Sequence, residues 1–166
     1  VQSNFGSSLV INGAPVGREL HKSAFSSKMP YDNDEGSCMI VIATDAPLSN
    51  RNLKRLAKRA VIGMGNVGGF ISNGSGDYVI AFSTFSAVSR QNMTTTRREV
   101  NNNAMNSLFM ATVEATEEAI LNSLFMAETV SSKYGTANEL PLDKTLEILN
   151  KYNSLNWNNK LYPWKK

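Results

Sequence analysis

Gly36-Ser37-Cys38-Met39-Ile40-Val41-Ile42-Ala43-Thr44 (GSCMIVIAT, residues 36–44) sets a small, conformationally free dipeptide directly against a run of β-branched and other apolar residues. A short, uninterrupted apolar run rich in Ile and Val predicts a strand buried on both faces, because a half-exposed strand would alternate. On its N-terminal side the pattern dissolves. Residues His21 to Glu35, HKSAFSSKMPYDNDE, are polar, hold Pro30 and place Asp32, Asn33, Asp34 and Glu35 in succession, the composition of an exposed loop. A buried strand is thus expected to emerge from an exposed loop at Gly36-Ser37, and exposed loops are where chains are cut.

On the C-terminal side, SNRNLKRLAKRAVIGM (49–64) offers Ser49 as a cap and brings Leu53, Leu56, Ala57, Ala60, Val61 and Met64 to one helical face, with Arg51, Lys54, Arg55, Lys58 and Arg59 on a solvated one. Gly63-Met64-Gly65-Asn66-Val67-Gly68 spells the text of a dinucleotide loop, but these glycines close a helix where that motif opens one, so they read as helix-ending and loop glycines. A second strand is expected from about Tyr78 to Phe85, and a long helix from Asn101 to Lys133 with Gly135 to end it. The helix's inner side would carry Met105, Leu108, Phe109, Thr112, Val113, Thr116, Ile120, Leu124 and Ala127. LDKTLEILNKY (142–152) reads as a short helix with Leu146, Leu149 and Tyr152 inward, followed by a tail with Trp157, Tyr162 and Trp164. Near the start, Asn12-Gly13 between apolar runs predicts a hairpin over residues 8–18. Helices and strands in this order suit an α+β fold in which helices cover a sheet.

The 166 residues, 42% of them hydrophobic, are enough for one core and too few for two independent domains. A net charge of +3, spread among 14 acids, implies no polyanion-binding field, and nucleic acid is not an expected partner. Cys38 and His21 are each the only residue of their type, which excludes an intrachain disulfide and leaves too few ligands for a common zinc site; no metal or other cofactor is expected. A lone cysteine suits a reducing compartment, favouring the cytoplasm over the periplasm. No run approaches the roughly 18 to 20 apolar residues of a membrane span, so no membrane association is expected. VQSNFGSSLV does not resemble a signal peptide, and a start without Met is what a fragment or processed piece would show.

Two groupings can carry chemistry. A glycine carbonyl is an unhindered target for the adjacent hydroxyl, so Ser37 can attack the Gly36 peptide bond and, after hydrolysis of the ester, become a new N-terminal residue. Taken alone, Gly-Ser at a loop end reads first as a turn. Ser75 and Asp77 stand two apart before a strand, where both side chains project to one face, and a carboxylate with a bridging hydroxyl can serve a nucleophile that has no histidine. Taken alone, that pair reads first as a Ser or Asx turn. A triad or Cys-His pair would have to use His21, which no surrounding pattern supports, and Cys38 reads as a core residue.

VQSNFG (1–6), APVGREL (14–20), DEGSCMIVIATDAPLSNRNLKRLAKRA (34–60), SNGSGDYVIAFST (72–84) and RREVNNNAMNSLFMATVEATEEAILNSL (97–124) together resemble the family of β-peptidyl aminopeptidases and L-aminopeptidase/D-amino-acid esterase-amidases. The resemblance implies a four-layered αββα sandwich similar to N-terminal-nucleophile hydrolases. It also implies a precursor cut between Gly36 and Ser37, with residues 1–36 the C-terminal tail of an α subunit and residues 37–166 the β subunit. Ser37 matches the nucleophile, Ser75 and Asp77 the supporting hydroxyl and acid, and Asn4 the amide that holds the oxyanion. Members that cleave β-peptides carry Glu where this chain has Asp77, a departure of one methylene that bears on substrate preference.

The implied function is release of N-terminal L-, D- or β-amino acids from peptides, amides or esters through an acyl-enzyme on Ser37. The implied partners are a peptide or amino-acid amide substrate, the remainder of the α subunit and further copies in a homo-oligomer of αβ units. A related acyltransferase, which would pass the acyl group to an amine, and a non-catalytic binding module are the rival readings.

Overall fold

The computed structural model describes residues 2–4, 8–20, 36–86, 90–91, 94 and 96–155. Its central strand is β2 (Ser37–Thr44), flanked by β1 (Gln2–Asn4) and β3 (Tyr78–Ser83) in the order β1-β2-β3. β1 runs antiparallel to β2, with Ser3 opposite Cys38 and Asn4 opposite Ser37. β3 runs parallel, from Met39 opposite Tyr78 to Thr44 opposite Ser83. Parallel neighbours need a crossover connection, and α2 (Asn50–Asn66) supplies it. The long helix α3 (Met105–Phe125) lies against α2. Cys38 and Ile40 of the sheet meet Ala60, Met64 and Val67 from α2 and its end, and Ile120 from α3, to form one core. A smaller core joins Ile11, Ala14 and Val16 to Ile148 and Leu149 of α4 (Leu142–Lys151).

The expected burial of β2 is seen on one of its faces among the described residues. Helices cover one face only, so Met39 and Val41 are exposed, as are Tyr78, Ile80 and Phe82 on β3. Among the described residues no helix covers that second face, which is apolar from Met39 and Tyr78 onward along β2 and β3.

The Asn12-Gly13 turn forms as expected. Both residues take positive φ (46° and 80°), and Ile11 and Ala14 exchange backbone hydrogen bonds of 3.1 and 2.8 Å. The expected hairpin over 8–18 goes no further than that pair. Pro15 has no N–H to donate to a ladder, the chain turns into the short helix α1 (Val16–Glu19), and the Leu9 carbonyl accepts from Gly17 instead.

The glycines after the α2 face divide by role. Gly68 (φ +96°) ends α2 as expected: its N–H reaches the Gly65 carbonyl at 2.9 Å and the Gly69 N–H reaches Met64 at 3.0 Å, the paired bonds of a Schellman stop. Gly63, in contrast, is not a terminator. It is buried inside α2, where a Cβ would stand 2.5 Å from the Val113 carbonyl oxygen of α3. Ser49 occupies the N-cap position, but its hydroxyl donates to Glu99, which also accepts from the buried Asn52 at 2.9 Å. Arg55 and Arg59 leave the expected solvated face to lie 4.8 and 4.0 Å over the Phe109 ring.

α3 stops at Phe125, short of the expected Lys133. Thr129-Val130-Ser131-Ser132 is a run of poor helix formers whose hydroxyls compete for local hydrogen bonds. It makes β4 (Val130–Ser132) and pairs with β5 (Gly135–Ala137), so Gly135 (φ +137°) serves a hairpin turn. Ser131 Oγ and Thr136 Oγ1 stand 3.0 Å apart across the pair. As a result Ala127 is exposed. In α4 the inward face is Thr145, Ile148 and Leu149, while Leu146 and Tyr152 are turned outward. The Tyr152 hydroxyl donates to Glu19 at 2.6 Å and the Lys151 ammonium reaches the same carboxylate at 2.9 Å, tying α4 to α1. The expected 21–35 loop, with His21, and the aromatic tail with Trp157, Tyr162 and Trp164 lie outside the described residues.

The two helical glycines make a paired test. Gly63→Ala overpacks the α2–α3 contact and should cost about 1–3 kcal/mol. Gly65→Ala meets nothing within 4 Å, so it should be neutral or stabilise by about 0.5–1 kcal/mol through helix propensity. Thermal melts of the two variants beside the parent protein check both signs.

Candidate active site at the head of the parallel strands

Ser37 opens β2 and is half-buried, while Cys38 behind it is fully buried against the helices. Strand alternation therefore turns the Ser37 side chain to the same face as Met39, the open one. Across the parallel pair, Asn73-Gly74 makes a turn that feeds β3, and the Ser75 N–H closes it on the Ser72 carbonyl at 2.9 Å. Two contacts join the heads of the strands and a third braces the turn before β3. The Gly76 N–H donates to Ser37 Oγ at 3.2 Å, the Cys38 N–H donates to Asp77 Oδ1 at 2.8 Å, and the Ser75 hydroxyl donates to Asp77 Oδ2 at 2.5 Å.

Four of the expected site residues are therefore gathered in one place. Ser75 and Asp77 bond to each other, as their spacing suggested, and both stand at the same strand ends as Gly36 and Ser37. Asn4 reaches that end through β1, whose register sets it opposite Ser37. A 3.0 Å contact between Ser3 Oγ and Ser123 Oγ ties β1 to α3. The two backbone donors, Gly76 N–H and Cys38 N–H, escaped the sequence reading because every residue but proline has an N–H and only the strand register shows which ones face a site.

Asp77 uses one oxygen to hold β2 and the other to hold Ser75. Its carboxylate thus positions the turn from which Gly76 reaches Ser37 Oγ. A donor aimed at a serine oxygen stabilises that oxygen as negative charge builds on it. Burial, and secondarily the Asp77 charge, push the Cys38 thiol above its ordinary range, so it stays protonated and inert. Among the described residues no three His, Cys, Asp or Glu side chains gather as a metal site, and no helix is long and apolar enough to cross a membrane.

Residues 1–138 match the family model described as Peptidase family S58. The chain belongs to peptidase family S58. It is 40% identical over 170 aligned positions to the β-peptidyl aminopeptidase BapA of Sphingosinicella microcystinivorans, covering 93% of this chain and 43% of that one. Its fold matches the L-aminopeptidase D-Ala-esterase/amidase of Ochrobactrum anthropi, described as a prototype of the serine aminopeptidases and a variant of the Ntn hydrolase fold. That match has a TM-score of 0.74 and 31% identity, over 90% of this chain and 41% of the other. A Burkholderia sp. β-aminopeptidase matches with a TM-score of 0.69 and 32% identity, over 87% and 40%. The S58 chain described here thus spans less than half the length of these relatives. The α+β class and the Ntn-type fold expected from the family resemblance are those of its structural neighbours.

Cys38 gives a chemical check on this S58 strand. With its thiol held protonated, iodoacetamide at about pH 8 should leave Cys38 unmodified in the folded protein and modify it fully in denaturant, as read by mass. Rapid labelling of the folded protein would contradict the burial of β2.

Proposed function

We propose that this chain carries the scissile bond and the nucleophile of a self-cleaving serine aminopeptidase or amidase. Cleavage between Gly36 and Ser37 would leave residues 1–36 as the tail of an α subunit and residues 37–166 as a β subunit, both parts of one αββα domain. The observation that supports this most is the Ser37 hydroxyl, one residue beyond the Gly36 carbonyl and held by the Gly76 N–H at 3.2 Å.

In self-cleavage Ser37 Oγ adds to the Gly36 carbonyl carbon. The hydroxyl proton passes to the Ser37 amide nitrogen, the C–N bond breaks, and the acyl group has moved from nitrogen to oxygen. Water hydrolyses the ester, leaving a carboxylate on Gly36 and a free amine on Ser37 beside its restored hydroxyl. In turnover the same oxygen attacks the carbonyl of a substrate's N-terminal residue, with its proton taken by the Ser37 amine. The leaving amine departs protonated, and water releases the N-terminal amino acid. The Gly76 N–H holds Ser37 Oγ in place, and the Asn4 amide takes the developing charge of the carbonyl oxygen, a role worth about 3–4 kcal/mol for one donor in such sites. Ser75 and Asp77 hold the geometry. The register of Asn4 opposite Ser37 supports its role.

The substrates are peptides, amides or esters with a free N-terminal L-, D- or β-amino acid, the classes that the relatives' names span. The open apolar face of Val41, Ile80 and Phe82, further along the strands from Ser37, supports coverage by the remainder of the α subunit, and the assembled unit is an oligomer of αβ pairs. The single buried cysteine supports a cytoplasmic location.

Mass spectrometry of the full-length product tests the proposal: the parent protein should give two masses split at Gly36-Ser37, whereas Ser37→Ala should stay one uncut, inactive chain. Normal processing of Ser37→Ala would sink it. Asp77→Asn keeps an acceptor for the Cys38 N–H but turns an amide toward Ser75, so the protein should fold while self-cleavage and hydrolysis slow by about 10²-fold. A time course of cleavage after refolding measures this.

A further inference from the structure

We infer that Tyr78, with Met39 beside it, is the specificity-determining wall for the side chain of the substrate's N-terminal residue, an inference that rests on the acyl-enzyme at Ser37 proposed above. Ser37 and Met39 alternate with the buried Cys38 and Ile40, so both face the open side of the sheet. Gly76 and Tyr78 have the same parity on the neighbouring strand, and the parallel register sets Tyr78 directly opposite Met39.

Gly76 joins the ring to the nucleophile. A Cβ placed on it would stand 3.4 Å from Ser37 Oγ and 3.6 Å from the Tyr78 ring edge at Cε2. The Tyr78 ring edge and the Ser37 hydroxyl thus border the same position, which the glycine leaves open. Tyr78 is 63% exposed and Met39 40%, so both apolar surfaces are open to a ligand. Ile80 and Phe82 continue the same face but stand about 7 and 13 Å further along β3 at the strand's rise per residue, away from the reacting atoms.

The acyl group is the part of the substrate that becomes bonded to Ser37 Oγ. Its side chain begins one or two carbons from the ester carbonyl, within reach of a ring at that distance, while the amine leaves. An aromatic and a thioether wall there favours N-terminal residues with large apolar side chains over glycine, and the contact persists through acylation and deacylation. Each would lose part of its advantage if the ring were removed.

The test uses full-length protein and four p-nitroanilides, those of glycine, phenylalanine, β-alanine and β-homophenylalanine, reading kcat/KM for large against small side chain within each backbone class. The parent protein should prefer the large member. Tyr78→Ala should lower that preference about 10- to 100-fold, and Tyr78→Phe should retain it. An unchanged ratio, or an equal loss on every substrate, overturns the inference. Self-cleavage, read as two masses, reports folding of each variant; if Tyr78→Ala is not cut, Tyr78→Ile is measured by the same ratio. A parent protein that neither cuts itself nor releases p-nitroaniline overturns the proposed function itself, and this inference falls with it.

Discussion

The carboxylate of Asp77 spans the two parallel strands at the end where their ladder begins, accepting the Cys38 N–H with one oxygen and the Ser75 hydroxyl with the other. Strand ends fray unless something closes them, and here the closure is charge-assisted, the stronger kind of hydrogen bond. One side chain therefore fixes the register of β3 against β2, the path of the turn before β3 and the aim of the Gly76 N–H at Ser37.

The same strand pair depends on how closely α2 and α3 approach each other. Gly63 lets the Val113 carbonyl of α3 come within 2.5 Å of the place a Cβ would occupy. That approach seats Ile120 on the core formed by Cys38, Ile40, Ala60, Met64 and Val67. Burial of β2 on this one side leaves its other side apolar and open, and alternation delivers Ser37 to the open side. The Ser37 hydroxyl thus stands at the head of a strand whose back is packed against the helices and whose front is open.

The legible parts of the fold were the local ones. The Asn12-Gly13 turn, the α2 face, β3 and the start of α3 follow from periodicity and from residues with special backbone preferences, which act over a few positions. Misreadings arose where a longer-range partner decided. For β2, an apolar run does not say which of its faces meets the helices. Gly63 looked like a stop because a glycine needed for helix contact and a glycine that ends a helix are the same letter. α3 was drawn too long because the hydroxyl-rich run after it pairs with residues beyond Gly135, and the inward face of α4 was set by α1 and the Ile11–Val16 segment.

For the site, the spacing of Ser75 and Asp77 and the Gly36-Ser37 junction were visible as candidates, each with an ordinary turn as the simpler explanation. Family resemblance gave them roles. The sequence by itself determined which side chains with nucleophilic or acidic chemistry exist, that His and Cys are too few for a common zinc site, and which short segments are strands or helices, since composition and local sterics settle those. Only the tertiary structure decided that positions 37 and 75–77, nearly forty residues apart, share one strand end, and that Gly76 and Cys38 lend backbone N–H groups to it. A parallel register depends on contacts between residues far apart in the chain, and no local pattern encodes it.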